Sequence, residues 1–307
     1  MALVAQRMGH DRNIGAEIFR GQRRGTMVVD AHQHFWDPER LHYFWMTEGV
    51  KSLKRKFLPE DLGPLLSQAG VERTVIVQAI SSTEEAQWLL DLASAHEFVA
   101  GVVTWADLRS RDLPRELDKL QAHPKFKGVR HQMEAESDDA WMVRDDVLAG
   151  LAELERRAIP YDLLVHARHL KYVPRVRERC PNLKLVVDHI AKPRIGEREF
   201  DGWAREIERV SQLPDIWCKL SGMITEARWD AWTPNDLQPY VRHVLDQFGL
   251  SRVMFGSDWP VCTLAGYYQQ VVDALRQVLG PLSPADAQKV WGENACEFYR
   301  LAKSGAV

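Results

Sequence analysis

The stretch Met27-Val28-Val29-Asp30-Ala31-His32-Gln33-His34 decides how this chain is read. It is an apolar run that ends in His-x-His. Side chains alternate along a strand with period two, so His32 and His34 share a face. Two imidazoles on one face can hold one cation, because neutral imidazole is a common ligand of zinc and related ions. His-x-His alone is a weak signal. It gains weight here because ligand-type residues recur at the ends of later apolar runs.

Seven such runs follow. They span 71–80 (centred on Val75-Ile76-Val77), 98–105, 126–133, 161–166, 183–189, 215–220 and 252–257. Apolar runs with little alternation suit strands covered on both faces. Helical spacing of apolar residues marks 84–96, 147–157, 237–248 and 267–279, and Ser283-Pro284 reads as an N-cap followed by Pro at the first helical position. Eight strand–helix units predict an α/β fold, a single-domain (β/α)8 TIM barrel over 27–307. A doubly wound sheet is the rival. It is weakened because no Gly-x-Gly-x-x-Gly follows a strand and there is no phosphate-binding loop.

Residues 1–26 are polar, with scattered Arg and Gly and no apolar centre of a secretory signal, and read as a disordered leader or an upstream start choice. A net charge of -3 gives no reason to expect nucleic acid or an acidic membrane as partner. The short basic stretch 51–56 reads as a solvated face, and no run reaches the roughly twenty apolar residues of a membrane span. Cys180, Cys218, Cys262 and Cys296 are far apart and lack Cys-x-x-Cys spacing. That predicts buried free thiols in the cytoplasm rather than a disulfide framework or a zinc knuckle. Monomer and homo-oligomer both stay open.

Barrel enzymes place their chemistry at the C-terminal ends of the strands. Four predicted ends carry suitable groups: His32 and His34 on the first, His166 on the fifth, His189 after Asp188 on the sixth, and Asp258 on the eighth. Three neutral imidazoles and a carboxylate suit one divalent metal, zinc or manganese, with a position left open for water. Asp258 then binds the metal weakly, takes the water's proton and passes it to the leaving oxygen. His189 is a hydrogen-bond partner of the water or substrate oxygen, or a further ligand.

The chain resembles the amidohydrolase superfamily, in its sugar-lactone hydrolase branch of the L-fuconolactonase and L-rhamnonolactonase type. The residues that carry the resemblance are 30–37 (DAHQHFWD), 128–132 (GVRHQ), 187–193 (VDHIAKP), 219–222 (KLSG) and 254–261 (MFGSDWPV). The resemblance implies that His32, His34, His166 and Asp258 surround the metal position, with His189 beside it. It also implies opening of a small sugar-acid lactone to the aldonic acid. Binuclear members carry a carboxylated lysine at the end of strand four, where this chain has Arg130-His131-Gln132. That departure points to one metal or to metal-free catalysis.

For the substrate, Arg130 and Gln132 share a strand face. Arg130 is a candidate for the lactone carbonyl or a hydroxyl, or else a buried ion pair, and His131 is a weaker candidate. Trp36, Trp45 and Trp259 are candidates to stack on the sugar ring, or else to pack the barrel edge. Lys219 and Lys192 face the rim or hold salt bridges. The alternatives are hydrolysis of an aromatic-pathway lactone of the muconolactone or pyrone type, nonoxidative decarboxylation, and a noncatalytic metal- or sugar-binding barrel.

Overall fold

The computed structural model describes residues 27–302. The expected leader at 1–26 lies outside the described residues. All eight expected strands are present: β1 Val29–Gln33, β2 Arg73–Val77, β3 Val99–Thr104, β4 Phe126–Gln132, β5 Tyr161–Leu164, β6 Leu185–Val187, β7 Ile216–Leu220 and β8 Val253–Phe255. They pair in parallel in sequence order from β1 to β8. A parallel bridge between Gln33 and Trp259 brings the two edges together. The His34 N–H donates to Trp259 O at 2.7 Å and the Asp258 N–H to His32 O at 2.8 Å. The result is the expected single-domain (β/α)8 barrel, and the seam between its first and last strands brings His32 and His34 beside Asp258.

One helix follows each strand: α1 Pro59–Ala69, α2 Thr83–Ala95, α3 Leu113–Gln121, α4 Asp145–Arg156, α5 Val173–Arg179, α6 Asp201–Ser211, α7 Pro234–Phe248 and α8 Tyr268–Leu279. α2 starts where Ser82 Oγ accepts from the Glu85 N–H, and α1 stops at Gly70 in the left-handed region. Ser283 caps the short helix Pro284–Gln288 as expected, accepting from the Asp286 N–H. Four helices, α1, α3, α5 and α6, are absent from the sequence reading. α3 shows why: it buries only Leu113, Leu117 and Leu120, a narrow stripe on an otherwise polar segment.

The barrel interior is layered. Its floor is apolar: Val29, Val75, Val103, Val186, Trp217 and Met254 pack with Phe298 and Tyr299 of the helix Asn294–Tyr299. That helix plugs the end where the strands begin. The four cysteines are buried and none is in a disulfide, as expected. Burial pushes the Cys262 thiol well above its ordinary range, so it is no thiolate nucleophile. Among the described residues no helix is long and apolar enough to cross a membrane.

Candidate active site

A β-bulge aims the opening histidines. Val29 belongs to the inner apolar cluster, so strict alternation would point Ala31 and Gln33 inward. The β1–β2 register shifts between Asp30 and Gln33. The shift reverses the phase, and His32 and His34 enter the barrel while Gln33 Nε2 donates outward to Thr74 Oγ1 at 3.1 Å. Asp30 holds this geometry. Its Oδ1 accepts from the His32 N–H at 3.1 Å and the Ser257 N–H at 2.8 Å, and its Oδ2 accepts from Tyr268 Oη at 3.0 Å.

His32 Nε2 and His34 Nε2 lie 3.3 Å apart. Asp258 Oδ1 is 3.3 Å from His34 Nε2 and 3.9 Å from His32 Nε2. Zinc ligands at bond lengths near 2.0–2.1 Å sit about 3.3 Å apart at the vertices of a tetrahedron. The triangle therefore fits three vertices and leaves one open. His34 Nδ1 is 2.6 Å from Val77 O. Donation there puts the proton on Nδ1 and leaves Nε2 free as a ligand atom. All three residues are buried, and together they form one of two groups able to hold a metal among the described residues; the other is His32, Asp188 and His189.

His189 completes the set around Asp258, with Nε2 at 3.7 Å from Oδ1. Its other nitrogen, Nδ1, is 2.9 Å from Ser221 Oγ. His189, Ile190, Ala191 and Lys192 all have positive φ, from 48° to 62°. Left-handed backbone costs about 1–2 kcal/mol per L-residue, and most for a β-branched one such as Ile190. Trp203 Nε1 donates to Ile190 O at 2.6 Å and anchors the turn. Strain held in this way marks functional segments. Gly222 packs against the ring: a Cβ there would lie 2.6 Å from His189 Nδ1, and its φ is +63°. Gly222→Ala is expected to displace the ring and lower kcat/KM about 100-fold, since misplacements near 1 Å cost that much. A loss below threefold, read beside a thermal melt, would show that His189 tolerates the shift.

Burial pushes the His189 pKa down to about 4, against the Asp258 and Asp188 carboxylates. His32 falls well below its ordinary range, by burial and then the Lys219 charge, with Asp188 opposing. Both imidazoles are neutral near pH 7. Burial works to protonate Asp258, but His189, His34 and His32 hold its carboxyl below the usual range.

The other expected positions fall outside the cluster around Asp258, and Arg130, Trp36 and Trp259 take the packing and ion-pair alternatives read for them. His166 joins neither metal group among the described residues. The chain leaves β5 at Leu164 and turns into the short helix Ala167–Leu170, and His166 Nε2 faces Glu134 Oε2 at 3.7 Å. Arg130 is a buried ion pair: Nη1 lies 3.1 Å from Asp188 Oδ2, and Nη2 donates to Gln78 O. It also approaches His32 Nε2 at 3.3 Å. Gln132 Nε2 donates to Ala79 O at 3.1 Å. His131 points to the other face of β4, stacked on Trp141 at 3.9 Å and paired with Glu136 at 2.7 Å. Trp36 is fully buried and donates to Leu53 O and Arg55 O, and Trp259 packs buried against Phe35 and Phe57. Neither offers a ring face to a ligand. Trp45 is half-buried and donates to Ala79 O.

The sequence reading quoted Asp30 and Gly222 within motifs but gave them no role, and it passed over Glu134 and Asp162. Period two was the available signal for Asp162 and Asp188, which share the inward face with Lys219. Lys219 is fully buried, 2.6 Å from Asp162 Oδ2 and 2.9 Å from Asp188 Oδ1.

Fold and site together define a (β/α)8 barrel with a buried histidine–aspartate cluster at the ends of its strands. The amidohydrolase family profile matches residues 29–301. An L-fucono-1,5-lactonase of Burkholderia ambifaria is 39% identical over 289 residues, covering 90% of this chain and 96% of that protein. An L-fucono-1,5-lactonase of Burkholderia multivorans is 35% identical, covering 90% and 97%. A crystal structure of a Burkholderia multivorans amidohydrolase with bound zinc superimposes with a TM-score of 0.85 at 35% identity, covering 90% of this chain and all of that one. The chain belongs to the amidohydrolase family.

Proposed function

We propose that this protein hydrolyses the ring ester of a sugar-acid lactone of the L-fucono- or L-rhamnono-lactone type. The observation that carries the reading is the Asp258 carboxylate held 3.3–3.9 Å from the imidazole nitrogens of His32, His34 and His189 in a buried site. The lactonase relatives support the substrate class. Asp258 accepts a proton from the water that attacks the carbonyl carbon. It returns that proton to the ring oxygen as the C–O bond breaks, giving the open hydroxy acid. His189, oriented through Ser221, hydrogen-bonds the water or the carbonyl oxygen.

His32, His34 and Asp258 are the residues that would hold a divalent ion, and their nitrogen-rich set favours zinc over manganese. The zinc-bound relative supports the same choice. The chemistry such an ion supplies is acidification of water and polarisation of a carbonyl oxygen. Arg130, 3.3 Å from His32 Nε2, competes for the same lone pair, which leaves room for metal-free turnover. Buried cysteines that form no disulfide suit the cytoplasm.

The aromatic-lactone alternative needs arginines free to bind substrate carboxylates. Arg130 is taken by Asp188, Arg168 by Asp139, and Arg194 by Glu197 and Glu199. A pH-indicator screen of aldonolactones, with and without chelator, tests the proposal. L-Fucono-1,5-lactone is expected to open well above its uncatalysed rate. If no lactone opens faster than background, the reading fails; an unchanged rate in chelator would remove the metal alone.

A further inference from the structure

We propose that the Lys192–Glu134 ion pair is the subsite that reads the ring hydroxyls of the substrate, an inference that rests on the lactonase reading above. The centre around Asp258 recognises an ester, and every lactone has one. The His32, His34, His189 and Asp258 side chains are at most 6% exposed, and nothing in their chemistry distinguishes one sugar from another. The neighbouring groups are different. The side chains of Lys192, Glu134 and His166 are 19%, 27% and 34% exposed, and they stand where the sealed centre gives way to solvent.

Their position is built. Lys192 closes the left-handed turn that begins with His189, and its N–H donates to His189 O at 2.8 Å. The reading group and the catalytic imidazole are thereby fixed three residues apart on one strained, anchored segment. Glu134 sits in the 3-10 turn Met133–Ala135 directly after β4. Lys192 Nζ donates to Glu134 Oε2. Burial opposes ionisation of Glu134, but Lys192, then His166 and His189, hold its carboxyl below the ordinary range. Lys192 in turn feels Glu134, Glu226 and Asp258. The turn from His189 to Lys192 ties the pair to the catalytic centre on one side. On the other, His166 and Lys192 border a cleft of about 670 Å³ that runs past Arg168, Arg194 and Phe200.

An ammonium carries three donors and a carboxylate about four lone-pair positions. Among the described residues Lys192 Nζ donates to Glu134 alone, so two of its donors remain. A donor beside an acceptor is the arrangement that takes two neighbouring hydroxyls at once, each hydroxyl giving a proton to Glu134 or accepting one from Lys192. The recognised chemistry is a vicinal diol on the lactone ring. A site built to bond hydroxyls discriminates strongly against a ring that lacks them, because its polar groups are then left unpaired.

The test compares L-fucono-1,5-lactone with δ-valerolactone, the same ring size without hydroxyls, using the full chain, Glu134→Gln and Lys192→Met. Each variant is expected to lose about 100-fold in kcat/KM on the hydroxylated lactone, chiefly through KM, and less than tenfold on δ-valerolactone. The selectivity ratio therefore falls at least tenfold. Parallel losses on both lactones would make the pair a structural brace and overturn the proposal, as would no loss on either. Glu134→Gln keeps the side-chain shape, so it reads the subsite even if Lys192→Met folds poorly. A wild-type enzyme inactive on both lactones would instead remove the lactonase reading, and the subsite with it.

Discussion

Asp258→Asn is expected to lower kcat by about 10²–10⁴-fold while leaving the protein folded, the range typical of losing a positioned acid–base group. The carboxylate is buried, and the three imidazoles around it hold it ionised. Its proton affinity matters only once water or the leaving oxygen presents a proton. Asn fills the same volume but cannot take or return one. Its backbone role survives, because the Asp258 N–H donation to His32 O belongs to the main chain. The measurement is kcat on the best lactone beside a thermal melt. A variant that keeps more than a tenth of wild-type kcat would take Asp258 out of proton transfer. A collapsed melt would indicate that the charge is structural.

The eight strands were legible because a parallel barrel buries both strand faces, and such burial demands continuous apolar runs of the kind seen at Val75-Ile76-Val77. The strand ends were legible for the same reason, which is how His32, His34, His189 and Asp258 could be gathered from separate segments. What escaped was backbone geometry. His189 and Asp258 both lie beyond their strands at positive φ, so their aim is set by turns with no sequence period. The bulge in β1 is likewise silent in the sequence, although without it the opening histidines would face away from the barrel. His166 illustrates the limit: a strand-end position does not fix where a side chain points once a helix starts one residue later.

The partners in the charge pairs were the other silent feature. Arg130 and Lys219 each read as a rim group or an ion-pair member, but Asp162 went unremarked and Asp188 had no role; the four form one ionic layer between the apolar floor and the His32, His189 and Asp258 side chains. Two cations and two carboxylates make it neutral as a whole. Asp188 lies 3.4 Å from His32 Nδ1, and Lys219 Nζ 3.2 Å from the same atom. The layer thus supports the His32 imidazole from below and cannot be altered at one member without leaving charge unpaired.

Lys219→Met is therefore expected to cost about 3–5 kcal/mol of stability, the usual penalty for removing one partner from a buried ion pair. In a domain of this size that is a fall in Tm of roughly 6–12 °C. Lys219 is fully buried, with its ammonium between Asp162 and Asp188 and 5.4 Å from the Tyr299 ring centroid. Methionine fills the space but leaves both carboxylates without their cation. Asp162→Asn in the same chain is expected to recover part of the loss, by at least about 1 kcal/mol of coupling. The pH dependence has a definite sign. Burial already raises the Asp162 pKa to about 6, with Lys219 holding it down. A carboxyl with a raised folded-state pKa makes the fold less stable as pH climbs from its unfolded value through its folded one. Removing Lys219 pushes the folded pKa higher and widens that window, so the deficit of Lys219→Met should be larger at pH 8 than at pH 5. Thermal melts of the two single variants and the double variant at both pH values measure it. A Lys219→Met chain that melts within about 2 °C of wild type at pH 8, well short of the expected shift, would show that the ionic layer carries no net stability.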